Sequence, residues 1–193
     1  MNTFSRTLKA PLLCLVAGIF IVPVTMAFTD PGQTGQTGPT GDLSVVGEVS
    51  VNGTSAISGA TVFSDSTITT AARSSAVVSL GKLGRVEVMP QSTMKLSFTA
   101  TNITVSMLEA GRVRLSSSSG VAATATTKDG QIVAKDPKMN KFNVDTSCGN
   151  TVVMVQAGRV ELRAGNSVKQ IAAGSQDTAG TATPGCKPSP GRS

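Results

Sequence analysis

Ser92-Thr93-Met94-Lys95 is the stretch whose residue types and spacing come nearest to a nucleophile and its base. In penicillin-interacting serine enzymes, Ser-x-x-Lys puts hydroxyl and amine on one face of a helix. Here the flanking residues alternate as a strand does, and an offset of three on a strand sends the two side chains to opposite faces. The expectation is that Ser92 and Lys95 are not a catalytic pair; a Ser-Lys hydrolase is the remote alternative. The eleven acidic residues are scattered. None has the spacing of a general acid and its base, so they are expected as surface and turn groups. The chain contains no His, Trp or Tyr. That excludes a His-based triad, His-ligated zinc and His-mediated proton transfer. Six Phe are too few for base-stacking platforms, so nucleic acid is not an expected partner. No catalytic residue, cofactor site or metal site is expected.

Lys128, Lys135, Lys138 and Lys141 surround one expected hairpin. Lysines of this kind guard exposed strand edges against aggregation; contact with phosphates of a surface polymer is the alternative. Asn52-Gly53-Thr54 and Asn102-Ile103-Thr104 fit the glycosylation sequon, a short match that arises by chance. Met89, Met94, Met107 and Met154 read as core filler.

The elements that hold these residues follow an export signal. Arg6 and Lys9 give a basic start, Leu12 to Val22 an apolar run, and Thr25-Met26-Ala27 a small-residue cleavage site, so residues 1–27 read as a signal peptide. Retention of the segment as a membrane anchor is the rival reading. Cleavage removes two of the 17 basic residues and none of the 11 acidic ones, which leaves a mild charge of +4. Cys14 goes with the signal, and the mature chain keeps Cys148 and Cys186. An even cysteine count in an exported chain predicts a disulfide. It would close a loop of about 39 residues, stabilise by ~4 kcal/mol in the chain-entropy model, and fasten a loose tail.

Residues 28–46 read as a linker, with Gly32, Gly35, Gly38 and Gly41 at every third position. From Gly47 to Asp177 the chain alternates in runs of about five residues, punctuated by turn signals every 8–12 residues. The strongest hairpin signals are Asn52-Gly53 and Asp129-Gly130. The phrase Gly-Arg-Val opens three such runs, at Gly84, Gly111 and Gly158. In them Val86, Val88, Val113, Leu115, Val160 and Leu162 should face inward. Arg85, Glu87, Arg112, Arg114, Arg159, Glu161 and Arg163 should face water, with arginines opposite glutamates where such runs are neighbours. The fold expected is all-β, an antiparallel sandwich or roll; a short β-solenoid gives the same punctuated alternation. Residues 178–193, rich in Thr, Gly, Pro and Ser, read as a flexible tail.

The runs Gly47 to Val51, Ser66 to Thr70, Ala76 to Leu80 and Gly84 to Val88, continued by Lys141 to Val144, Val152 to Leu162 and Ile171 to Gly174, resemble a FecR-like domain. The likeness covers about Gly47 to Gln176 and rests on strand and turn patterns. It implies an all-β module of the bacterial envelope. The best-known members relay a signal from an outer-membrane receptor to a cytoplasmic sigma factor. This chain departs from them: no cytoplasmic domain precedes its apolar segment, and little chain follows Gln176. It is therefore expected to be a stand-alone exported form, in the periplasm or at the cell surface. It would bind or assemble with another envelope protein or a surface polymer without catalysis. Membrane contact is expected only if the signal is retained. A signal-anchored accessory of a FecR-type pathway is the alternative.

Overall fold

The computed structural model describes residues 38–186. The expected signal peptide and most of the expected linker lie outside them. The described strands, in chain order, are β1 (Gly41–Val46), β2 (Val49–Val51), β3 (Thr54–Ser55), β4 (Thr61–Val62), β5 (Ser66–Thr70), β6 (Ser75–Ser79), β7 (Gly84–Val88), β8 (Ser92–Phe98) and β9 (Asn102–Met107). They continue with β10 (Arg112–Ser117), β11 (Ala122–Thr127), β12 (Gly130–Ala134), β13 (Asn140–Asp145), β14 (Thr151–Ala157), β15 (Arg159–Ala164), β16 (Ser167–Ala172) and β17 (Gln176–Ala179). A single 3-10 turn, Gly81–Leu83, separates β6 from β7.

Two sheets face each other. One runs β4-β1-β6-β7-β10-β13-β14-β17, the other β3-β2-β5-β8-β9-β11-β12-β15-β16. The protein is an all-β sandwich. Within each sheet the strands follow sequence order except at the β1 end, so the chain advances along the sandwich as it crosses between layers. Most crossings come after a hairpin, and a hairpin in one sheet returns the chain antiparallel to its last strand in the other. Of the strands that stand singly between two strands of the opposite sheet, β4, β5 and β10, only β10 has those two strands, β9 and β11, paired with each other, and that pair is parallel. The sandwich thus contains one solenoid-like coil, β9-β10-β11, within an otherwise antiparallel roll.

Alternation builds the interior. In β8 the side chains of Ser92, Met94, Leu96 and Phe98 are buried while the residues between them are half-exposed. β13 buries Asn140, Phe142 and Val144 in the same way. All six apolar positions of the Gly-Arg-Val runs are inside, each 1% exposed or less. Of the four methionines expected as core filler, Met94 is wholly buried, while Met107 packs against the core from its margin.

Several boundaries move. The first strand begins at Gly41, within the expected linker, because Leu43 enters the core. Asn52 and Gly53 both take positive φ and turn β2 into β3, as expected. The return strand is short, Thr54–Ser55 alone. The run Thr61 to Thr70 divides into β4 and β5, which lie in different sheets. The hairpin at Asp129-Gly130 forms, but its loop is Lys128-Asp129, and Gly130 already pairs with Thr127. Gly130 is glycine because the Arg163 carbonyl of β15 occupies the space a Cβ would need. At the far end β17 extends to Ala179, which is 6% exposed, beyond the expected domain boundary at Asp177.

Candidate functional site

Ser92 and Lys95 fall on opposite faces of β8. The Ser92 hydroxyl is buried, accepts the backbone N–H of Arg112 at 2.8 Å, and lies 3.2 Å from the carbonyls of Pro90 and Arg112. It ties the entry of β8 to the entry of β10. The Lys95 ammonium points outward to Asp65, 3.1 Å away. A hydroxyl committed to backbone on one face and an ammonium paired on the other cannot exchange a proton. Ser92→Ala is expected to cost about 1–3 kcal/mol of stability, because it orphans the half-buried Arg112 N–H. Urea unfolding reads this, and an unchanged midpoint would assign the hydroxyl no structural role.

The acidic side chains are spread over turns and strand faces, as expected. Asp145 receives the Ser147 N–H, Asp136 the Lys138 N–H, and Asp129 the Thr151 hydroxyl. Glu87 and Arg114 stand opposite each other across β7 and β10, with Arg114 Nη1 3.1 Å from Glu87 Oε2. This is the arginine-to-glutamate pairing expected of neighbouring Gly-Arg-Val runs. The third run, in β15, lies in the other sheet and meets neither of the first two as a strand neighbour. There Glu161, expected to face water, is only 9% exposed, because Arg163 and Lys135 close over it.

Three carboxylates have pKa values held below the ordinary range. The Ser97 hydroxyl and then Lys95 lower Asp65, Arg163 lowers Glu161, and Lys169 lowers Asp177. A carboxylate with a depressed folded pKa contributes stability above its unfolded value, near 4, and loses it as pH falls through the folded value. The urea midpoint should therefore be flat from about pH 7 to pH 5 and fall below about pH 4. A midpoint that rises on acidification there would contradict these pairings. The Asp177 pair has a second role. Lys169 sits opposite Leu162 on the core side of the edge strand β16, and it reaches Asp177 of β17 at 2.7 Å. An inward lysine closes this end of the sandwich and discourages a further strand from adding to β16.

The expected lysine cluster does not stay together. Lys128 sits in the β11–β12 turn beside Asp129, whereas Lys135, Lys138 and Lys141 lie at the opposite end of β12. Both sequon asparagines are hydrogen-bonded: Asn52 accepts the Thr67 N–H of β5 at 2.8 Å and Asn102 reaches the Thr104 hydroxyl two residues on. A shallow cleft beside β2, β3 and β5, lined among others by Glu48, Ser50, Ser55 and Thr69, carries one ionisable group. Cys148 and Cys186 are joined in a disulfide, with Cα atoms 5.6 Å apart. The bond links the β13–β14 connection to the segment after β17, whose Thr183 N–H also donates to the Cys148 carbonyl.

No family model matches the chain, and no curated protein matches it. Among solved proteins, two crystal structures of a “putative anti-sigma factor” from Parabacteroides distasonis are similar, each with a TM-score of 0.49 and 19% identity. The match covers 58% of this chain and 53% of that one, so this chain spans about half the length of the solved protein it resembles.

Proposed function

We propose that the chain is an exported, non-catalytic β-scaffold of the FecR-like kind that binds another component of the cell envelope. The observation that carries this reading is the Cys148–Cys186 disulfide, a bond that persists in oxidising compartments and is rare in reducing ones. The Ser92 geometry supports the non-catalytic half, since the hydroxyl best placed in sequence to act as a nucleophile serves as a backbone clamp. Rigid sheets with short connections suit a surface presented to a partner.

The test is fractionation of the expressing cell with sequencing of the mature amino terminus and titration of free thiols. A chain that starts at Phe28, lies outside the cytoplasm and has no free thiol supports the reading. A cytoplasmic chain with both cysteines reduced overturns it. So does acylation of Ser92 by a serine-reactive probe that Ser92→Ala abolishes. A mature chain that keeps residues 1–27 replaces the soluble scaffold with the signal-anchored accessory.

A further inference from the structure

The connections at the two ends of the strands are not equivalent in charge. On one long side of the sandwich, successive connections are Gly81–Leu83, residues 118–121, residues 135–139 and the turn at Gly158. They carry or adjoin Lys82, Arg85, Lys135, Lys138, Lys141 and Arg159. Backbone bonds hold them side by side: Ser118 N–H to the Leu83 carbonyl at 2.9 Å, Gly120 N–H to Pro137 at 3.0 Å, and Lys135 N–H to Arg159 at 2.9 Å. Asn140 fixes the loop of residues 135–139 by donating to the carbonyls of Asp136 and Lys138. Arg85 and Lys141 flank Ser116 in one cross-strand row on the outer face.

Of the acids nearby, Asp42 at the start of β1 is exposed and has no ion pair among the described residues, while the others are already engaged. Glu87 is held by Arg114 at 3.1 Å and Arg85 at 3.8 Å, Glu161 by Arg163 and Lys135, and Asp136 accepts the Lys138 N–H. Among the described residues no ion pair engages Lys82, Lys138, Lys141 or Arg159. Between Lys138 and Asn140 the loop presents Met139, an apolar side chain 55% exposed. Phe63, 43% exposed, lies between β4 and β5, whose connection turns on the same side.

Unpaired cations set around a protruding apolar side chain are complementary to a bilayer surface: the cations meet headgroup phosphates and the thioether enters the acyl boundary. We propose that this basic side is a docking surface for the anionic lipid headgroups of a membrane. The proposal rests on the exported-scaffold reading and adds to it a membrane contact that does not need a retained apolar leader.

The experiment is co-sedimentation of the mature, disulfide-bonded chain with phosphatidylglycerol vesicles and with phosphatidylcholine vesicles. Binding is expected to the first only, and to weaken as salt rises above about 0.1 M, where the Debye length falls below about 10 Å. At about 1 kcal/mol per cation, or fivefold in affinity, Lys82→Gln with Lys138→Gln should weaken binding by about 25-fold. Arg73→Gln with Lys128→Gln removes the same charge from the opposite side and should leave binding unchanged. Met139→Ser keeps the charge and should weaken binding by about tenfold. Circular dichroism and the urea midpoint establish that each variant is folded. Equal losses from the two double variants, an unmoved Met139→Ser, or binding to soluble polyphosphate but to neither vesicle would each overturn the proposal. A chain that is exported and captures another envelope component yet ignores both vesicles sinks this surface and leaves the broader reading standing. A chain that binds phosphatidylglycerol vesicles but proves cytoplasmic does the reverse.

Discussion

Reducing the Cys148–Cys186 disulfide, or replacing both cysteines with serine, is expected to lower the unfolding free energy by about 4 kcal/mol. The two cysteines are 38 positions apart. Joining them removes from the unfolded ensemble the freedom of a loop that holds β14, β15, β16 and β17. The local structure explains why the staple is needed. β17 has four residues and one strand neighbour, β14. Beyond it, among the described residues, one backbone bond ties the chain back, from the Thr183 N–H to the Cys148 carbonyl. The contact is also close, since a side chain at Gly149 would meet the Thr183 hydroxyl. Loss of the covalent link should release residues 180–186 first and then loosen β17, the strand that brings Asp177 to Lys169. Urea unfolding with and without reductant, paired with amide exchange, reads both steps. The expected result is a fall in midpoint with a steeper slope, since the freed unfolded chain exposes more surface, and with exchange rising first in β17 and its neighbour. A midpoint that moves by less than about 1 kcal/mol equivalent would show that the unfolded chain is constrained without the bond.

What the sequence made legible was periodicity, and periodicity reports faces better than ends. Every apolar position of the three Gly-Arg-Val runs lies inside, and the Glu87–Arg114 pairing follows from two such runs standing side by side. Strand ends are less legible because composition misleads there. Gly41 belongs to a glycine-spaced stretch that looks like linker, yet it starts β1, where a Cβ would press on Leu80 and Val78. The serines of β10 look like loop, yet Ser117 is buried. The basic side was the least visible feature. It joins Lys82 and Arg85 to Lys138 and Lys141 across more than fifty positions of chain, and only the order of strands in the sheet makes them neighbours. The lysine cluster seen in sequence mixed two opposite sides of the sandwich, because a five-residue strand stands between Lys128 and Lys135.

Gly84→Ala should be among the most destabilising single substitutions in the protein, at about 3 kcal/mol or more. Two costs combine. The residue sits at φ +139°, where a side chain is strained by about 1–3 kcal/mol. A Cβ there would also run into the Ser116 carbonyl of β10, and that obstacle is backbone in a paired strand rather than a side chain able to swing away. Gly120→Ala is the control: its φ of +76° is also unfavourable, but nothing lies within 4 Å of the added methyl. It should cost about 1–2 kcal/mol, the backbone share alone. The excess at Gly84 measures how tightly β7 and β10 approach. That approach also sets the register that puts Glu87 opposite Arg114. A double-mutant cycle on Glu87 and Arg114 should give up to about 1 kcal/mol of coupling in the natural chain and close to none in the Gly84→Ala background. Equal costs at Gly84 and Gly120, or a coupling that survives at Gly84→Ala, would mean that the glycine of Gly-Arg-Val serves only its turn. The repeated phrase would then owe its recurrence to its alternating valines rather than to the fit between strands.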